Sequence, residues 1–339
     1  MAPIVLGEIP TNVGGGNVQT AISFRPFFVL GKTREHTVML TADSLGRGPV
    51  TFNRNVFNDR NGVTGVIPAL LAKAGIGYIN CSFSGDDYLN ASQAGKYTKR
   101  GVCGQWVTTW VPALGTNDLG NSTVVTSTQL TNYMAAVRAQ ITNGNKLRVI
   151  PATIMARAGA SPYSTPAAFD SNSYFTNQQA QANNSSRVTL CRDIRSGTIP
   201  CDNFLEVAAY METSKDSGIQ PYPPDARTVT DVVTTNNSNV VDSATAKFNE
   251  SSTGGRIFIL GAGASGAPLS GYMVYVSPTR VNVVSQTGSV VNAGATLAGA
   301  TAYVNSHDWT EDALHVSPRG RDVMRDRMYA AGEHLKIKN

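Results

Sequence analysis

Little of this chain carries charge. Asp, Glu, Lys and Arg make up 15% of its 339 residues, and the net charge of +5 is spread along the length. A nucleic-acid footprint needs a clustered basic face. The C-terminal cations (Arg319, Arg321, Arg325, Arg327, Lys336, Lys338) are instead interleaved with acids and read as a solvated helix face, so no nucleic-acid partner is expected. Long apolar runs are missing too. None approaches the roughly 18 residues that cross a bilayer, so no membrane span is expected. The opening MAPIVLGEIP lacks a basic start and an apolar centre, and no signal peptide is visible. Cysteine and histidine number four each. Cys81, Cys103, Cys191 and Cys201 form no CxxC pair, so neither a zinc site nor a redox dithiol motif is indicated, and no metal or cofactor is expected. Cys191 and Cys201 are compatible with a short disulfide-closed loop and equally with two free thiols. Disorder is excluded, because 41% of the residues are hydrophobic.

What the chain does have is strand–helix alternation. After a Gly- and Pro-punctuated extension over 1–36, the run Val38-Met39-Leu40 leads to Thr41-Ala42-Asp43-Ser44 and reads as a buried strand. Ile67 to Ala74 reads as a helix stopped by Gly75, and Ile76 to Cys81 as a second strand. A third strand is expected over Trp106 to Ala113. Thr126 and Gln129 match a capping box for a helix whose stripe is Leu130, Met134, Val137 and Ile141. Leu147 to Ile154 and Phe204 to Met211 are the fourth and fifth strands. Strands apolar on both faces and alternating with helices predict an α/β fold, a three-layer α/β/α sandwich with a five-stranded parallel sheet.

The pattern changes near residue 229. From there to about Tyr303 the chain is rich in Val, Thr, Ser, Asn and Gly, with short strand-like runs such as Ile257 to Leu260, Tyr272 to Val276 and Val281 to Val284. This predicts an inserted all-β module over 229–305, dividing a domain made of 37–228 and 306–339. Gly261 to Gly266 satisfies GxGxxG, but a Pro and another strand follow instead of a helix, so it is a turn and not a nucleotide site. Tyr272, Tyr275 and Tyr303 suit sugar stacking or packing in a small β core. In the last segment Pro318 fits a first helical position after a Ser317 cap, with Met324, Met328, Ala331 and Leu335 on one face.

Three short segments follow the first three strands: ADSLGRG with Ser44, NCSFSGDD with Gly85, and VPALGTNDLGN with Asn117. Ligands bind at the carboxyl ends of strands in open α/β sheets. Near the far end, NSHDWTEDALHVSPRG carries Asp312 and His315 three residues apart. A serine, a histidine to take its proton and a carboxylate to orient that histidine are the parts of a nucleophilic triad. The blocks ADSL, Gly85, GTND and D-x-x-H, in that order, resemble those of the SGNH (GDSL-type) hydrolases, with Ala42 standing where that family usually has glycine.

The resemblance covers roughly 37–228 and 306–333. It implies a serine esterase in which Ser44 attacks, His315 is general base and then acid, and Asp312 orients His315. The oxyanion would rest on the N–H groups of Ser44 and Gly85 and the side-chain amide of Asn117. It also implies removal of short acyl groups, acetyl foremost, from a carbohydrate or related ester. The alternatives are a longer-chain lipase or thioesterase and a non-catalytic virion-associated or carbohydrate-binding protein that keeps the fold. The β insert resembles modules of phage tail-associated proteins, which favours an extracellular or virion-associated location. Asp43, Asp86, Asp87 and Asp118 are expected to make structural hydrogen bonds.

Overall fold

A computed structural model describes residues 35–47, 65–120, 125–156, 185–212, 214–217, 227–285, 288–304, 316 and 318–339. All but the last two residues of the expected N-terminal extension, together with Ser317, Asp312 and His315, lie outside them.

The centre of the fold is β1 (Thr37–Ala42), the strand that the Val38 to Ala42 run predicts. It pairs in parallel with β2 (Gly77–Asn80) on one side and β3 (Thr109–Ala113) on the other, and β4 (Arg148–Val149) lies beyond β3. The order is therefore β2-β1-β3-β4. Alternation along β1 divides its side chains between two cores. Val38, Leu40 and Ala42 face one apolar cluster, and Met39 faces the other. On the first face lie α2 (Val66–Lys73), which Gly75 ends at φ 67°, and α8 (Pro318–Ala330). The second face holds α6 (Ser127–Ala139) and α7 (Ser185–Ser196). The expected capping box is present on α6, where Thr126 accepts from Gln129 N. Trp110, fully buried on β3, donates Nε1–H to Thr41 Oγ1 at 2.9 Å, so the one polar side chain in the middle of β1 is satisfied.

Three expected strands are cut back, the fourth, expected over Leu147 to Ile154, to Arg148–Val149 alone. The third begins at Thr109, because Val102–Trp106 forms a 3-10 turn that leaves Trp106 partly exposed. The fifth is reduced to a single parallel bridge, Ala152↔Leu205, so the sheet has four strands and not five. Thr153 explains the early stop. Its hydroxyl oxygen accepts from Val207 N (2.8 Å) and Ala208 N (3.0 Å), which turns the chain into a 3-10 segment, Ala208–Met211. The Val207 N–H would otherwise have extended the ladder.

The C-terminal stripe is also shorter than expected. Met324 and Met328 are fully buried, but Gly332 at φ 77° breaks the helix after Ala330, and Leu335 faces solvent. Ile337, on the short α9 (Leu335–Lys338), fills the core in its place.

The β-rich region forms a closed antiparallel barrel. Its strands are β5 (Arg227–Thr234), β6 (Val240–Asp242), β7 (Arg256–Ile259), β8 (Leu269–Ser277), β9 (Arg280–Val284) and β10 (Leu297–Val304). They close in the order β10-β5-β6-β9-β8-β7. Closure removes the exposed edges that such a Val- and Thr-rich sequence would otherwise offer for aggregation. Val232, Ile257, Ile259, Met273, Val281, Val283 and Ala302 fill the interior. The GxGxxG run is the β7–β8 turn, with Gly263 N donating to Ala267 O at 2.6 Å. Tyr272 is buried, Tyr275 packs against the barrel core, and Tyr303 lies 6.5 Å from the Phe258 ring, which favours the packing role for these tyrosines. All four cysteines are free thiols, so Cys191 and Cys201 close no loop.

Candidate active site

The carboxyl ends of β1, β2 and β3 carry the first three sequence blocks to one edge of the sheet. Ser44 follows β1 directly and opens a four-residue helix, α1 (Ser44–Arg47). Asp43 builds this turn. Its Oδ1 accepts from Leu45 N at 2.8 Å and its main-chain oxygen from Gly46 N at 3.2 Å. Ala42 is a regular strand residue in register with Ala113, so an alanine at this position meets no backbone demand it cannot fulfil.

Its methyl group has a different consequence. A Cβ on Gly46 would lie 2.2 Å from Ala42 Cβ and 2.9 Å from Ser82 Oγ. Gly46 is thus required by close approach. Gly46→Ala is expected to cost about 1–3 kcal/mol through overpacking. Adding Ala42→Gly should return part of that loss, as read by urea denaturation. Simple additivity of the two changes would show that the methyl groups do not compete.

The segment after β2 continues alongside β1. Cys81 N donates to Leu40 O (2.8 Å) and Phe83 N to Ala42 O (2.9 Å), so the Gly85 turn begins beside the residues leading into Ser44. Asp86 N closes that turn onto Phe83 O at 3.1 Å, with Gly85 at φ 80° in the third position, where a side chain would be strained. Asn80 links the two turns. Its amide donates to Gly46 O at 3.3 Å and its carbonyl accepts from Ser82 N at 3.1 Å. On the other side, Asn117 lies in α5 (Thr116–Gly120) after β3, and its Nδ2 donates to Asp86 O at 2.8 Å. One amide proton is engaged by this bond, and among the described residues the second has no partner, so it can serve a ligand.

The remaining carboxylates hold the loops in place, as the sequence suggests. Asp87 caps α3 (Tyr88–Ser92), accepting from Asn90 N at 2.6 Å. Asp118 accepts from Tyr88 N (2.9 Å) and Leu89 N (3.1 Å). Asp86 accepts from Arg100 Nη1 at 2.6 Å. Burial raises the carboxyls of Asp86 and Asp118 above the usual range, against the pull of Arg100 on the former and of main-chain N–H groups on the latter.

Beside Ser44 a small cleft of about 30 Å³ opens to solvent, lined mainly by apolar residues that include Leu45, Ile67, Ala113, Met155 and Val207. Its lining runs from Leu45 and Gly46 after β1, past Ala113 and Thr116, to Ala152 and Thr153 beyond β4. Asn80 and Arg100 are the residues that sequence reasoning missed. Asn80 left a weak signal as the polar residue inside an apolar strand. Arg100 left none, since its partners lie 14 and 19 positions away. Of the other histidines, His36 approaches Thr108 at the opposite end of β3, and His334 stacks on Tyr329 at 4.3 Å.

Neither a protein-family profile nor any curated protein matches the sequence. The solved structures it is similar to include GDSL-type lipases, esterases and acylhydrolases. One is a GDSL-like lipase from Bacteroides thetaiotaomicron, at 12% identity over 91% of this chain and 93% of that one, with a TM-score of 0.41. Another is a carbohydrate acetylesterase from Sinorhizobium meliloti, at 13% identity over 55% of this chain and 90% of that one, with a TM-score of 0.35. A third is a lipase/acylhydrolase from Enterococcus faecalis, at 13% identity over 55% and 87%, with a TM-score of 0.33. Likenesses at this level carry no weight for function, which has to be argued from the chain's own residues.

Proposed function

We propose that this chain is a serine ester hydrolase. Ser44 attacks the acyl carbonyl, His315 takes and returns the proton, and Asp312 holds the imidazole in the required tautomer. The N–H groups of Ser44 and Gly85 and the free amide proton of Asn117 receive the oxyanion; one such donor is typically worth about 10²–10³ in rate. The observation that carries this reading is the position of Val316. The residue directly after His315 is buried in the same apolar cluster as Ala42 and Val66, with Leu45 packed against that cluster. The Asn117 and Gly85 turns at the same edge of the sheet supply the donors such chemistry needs.

The alcohol half of the ester is a carbohydrate or related group and the acyl half is short, acetyl foremost; both follow from the family resemblance. One observation favours the second reading, a longer acyl chain: the cleft beside Leu45 is lined mainly by apolar side chains.

A serine-reactive phosphonate is expected to label Ser44 in the wild type and to leave His315→Ala unlabelled. Failure to label any serine in folded protein would favour a non-catalytic role for the fold. Turnover of p-nitrophenyl acetate against octanoate then decides the acyl length, faster octanoate hydrolysis selecting the second reading.

A further inference from the structure

The Gly85 turn has an unusual mechanical problem. Among the described residues nothing lies within 4 Å of where a Gly85 Cβ would be, so on that side no packing fixes its orientation. Precision at that N–H has to come from the ends of the turn. An oxyanion donor works only if it is held close to the productive geometry before the substrate arrives.

We propose that Arg100 is the positioning residue for this turn, one guanidinium nitrogen clamping its entry to its exit. Arg100 Nη1 donates to Cys81 O at 3.2 Å and to Asp86 Oδ2 at 2.6 Å, so a single rigid group spans the segment that contains Gly85. Its own placement is fixed by stacking. The guanidinium carbon lies 4.2 Å from the ring centre of the fully buried Tyr97, on the near side of α4 (Thr98–Gly101), and 5.8 Å from that of Phe83. The clamp extends further. Asp86, whose side chain Arg100 holds, also accepts from Asn117 Nδ2 through its main-chain oxygen. Arg100 therefore sets both loop-borne donors through one residue. The Asp86 side chain is 8% exposed and the Arg100 side chain 25%, so water competes poorly for this charge-assisted bond.

This role rests on reading Gly85 and Asn117 as oxyanion donors, and the test separates the two. Kinetics with p-nitrophenyl acetate should be measured for wild type, Arg100→Met, Arg100→Lys and Asp86→Ala, each with phosphonate labelling of Ser44 and a thermal melt. Arg100→Met is expected to lower kcat by roughly 10–100-fold, the scale of a small misplacement at a reacting centre, with KM changed less than about twofold. Arg100→Lys, which keeps a cation able to reach either partner, should recover part of the loss. A purely structural role would lower Tm without this kcat-selective pattern.

If folded Arg100→Met keeps wild-type kcat while wild type labels at Ser44, the positioning role is wrong and the hydrolase reading stands. If wild type neither labels nor turns over, both fall together. Should Arg100→Met fail to fold, Asp86→Ala decides, and an unchanged kcat there overturns the clamp.

Discussion

Ser44→Ala is expected to lower kcat for p-nitrophenyl acetate by about 10⁴–10⁶-fold, the scale of removing the nucleophile or base from a triad. The fold should be unaffected, with stability within about 0.5 kcal/mol of wild type. The physical reason is a division of labour between neighbours. Asp43, not Ser44, caps Leu45 N and closes the turn through Gly46 N. Ser44 is only half-buried, whereas Ala42 and Asp43 are each 1% exposed. Losing the hydroxyl therefore removes a reacting atom and leaves the scaffold that presents it. Unchanged ester hydrolysis by the folded variant would refute Ser44 as nucleophile.

The second large effect concerns stability. Arg187, at the start of α7, donates through Nη1 to Glu212 Oε1 at 2.7 Å and to Ile154 O at 3.2 Å. Both side chains of this ion pair are almost completely buried, at 3% and 1% exposure. Arg187 Nε and Nη2 have no hydrogen-bond partner among the described residues. Arg187→Met is expected to cost about 3–5 kcal/mol in denaturant unfolding, because it breaks a buried ion pair and removes the compensating cation. The double variant Arg187→Met/Glu212→Leu should recover most of the loss, since apolar pairs of similar volume often match or exceed buried ion pairs. A single-variant loss below about 1 kcal/mol would mean that water or another cation reaches Glu212. Ile154 also lines the cleft beside Ser44, so activity measured on the same variants reports whether the pair shapes that wall.

Local pattern was a reliable guide wherever one residue's neighbours in sequence are also its neighbours in energy. The β1 run, the Gly75 stop, the Thr126–Gln129 box and the turn at Gly261 to Gly266 are all of this kind. The pattern misled where a distant polar group intervened. Phe204 to Met211 is apolar enough for a fifth strand, but the Thr153 hydroxyl, from a strand end some 50 positions earlier, takes its N–H groups. Ala331 and Leu335 share a helical face with Met324 and Met328 only if the helix continues, and Gly332 turns the chain first.

Candidate site residues divide in the same way. Ser44, Gly85 and Asn117 could be named because strand ends can be located from hydrophobic runs, and the first residues after them face the ligand edge of a parallel sheet. Asn80 and Arg100 act through contacts between segments, and spacing along the chain contains nothing about such contacts.

By itself, then, the sequence determined the alternation of apolar runs and breakers, hence a helix-covered parallel sheet, a separate β module and the segments that end at one edge. Hydrophobic periodicity and backbone preference are short-range properties written into adjacent residues. Only the tertiary structure decided that the sheet stops at four strands, that the β module closes into a barrel, and that Arg100, Asp86 and Asn117 form one chain of hydrogen bonds beside Ser44. Hydrogen-bond competition and barrel closure depend on which groups meet in space, and that is settled when the layers pack.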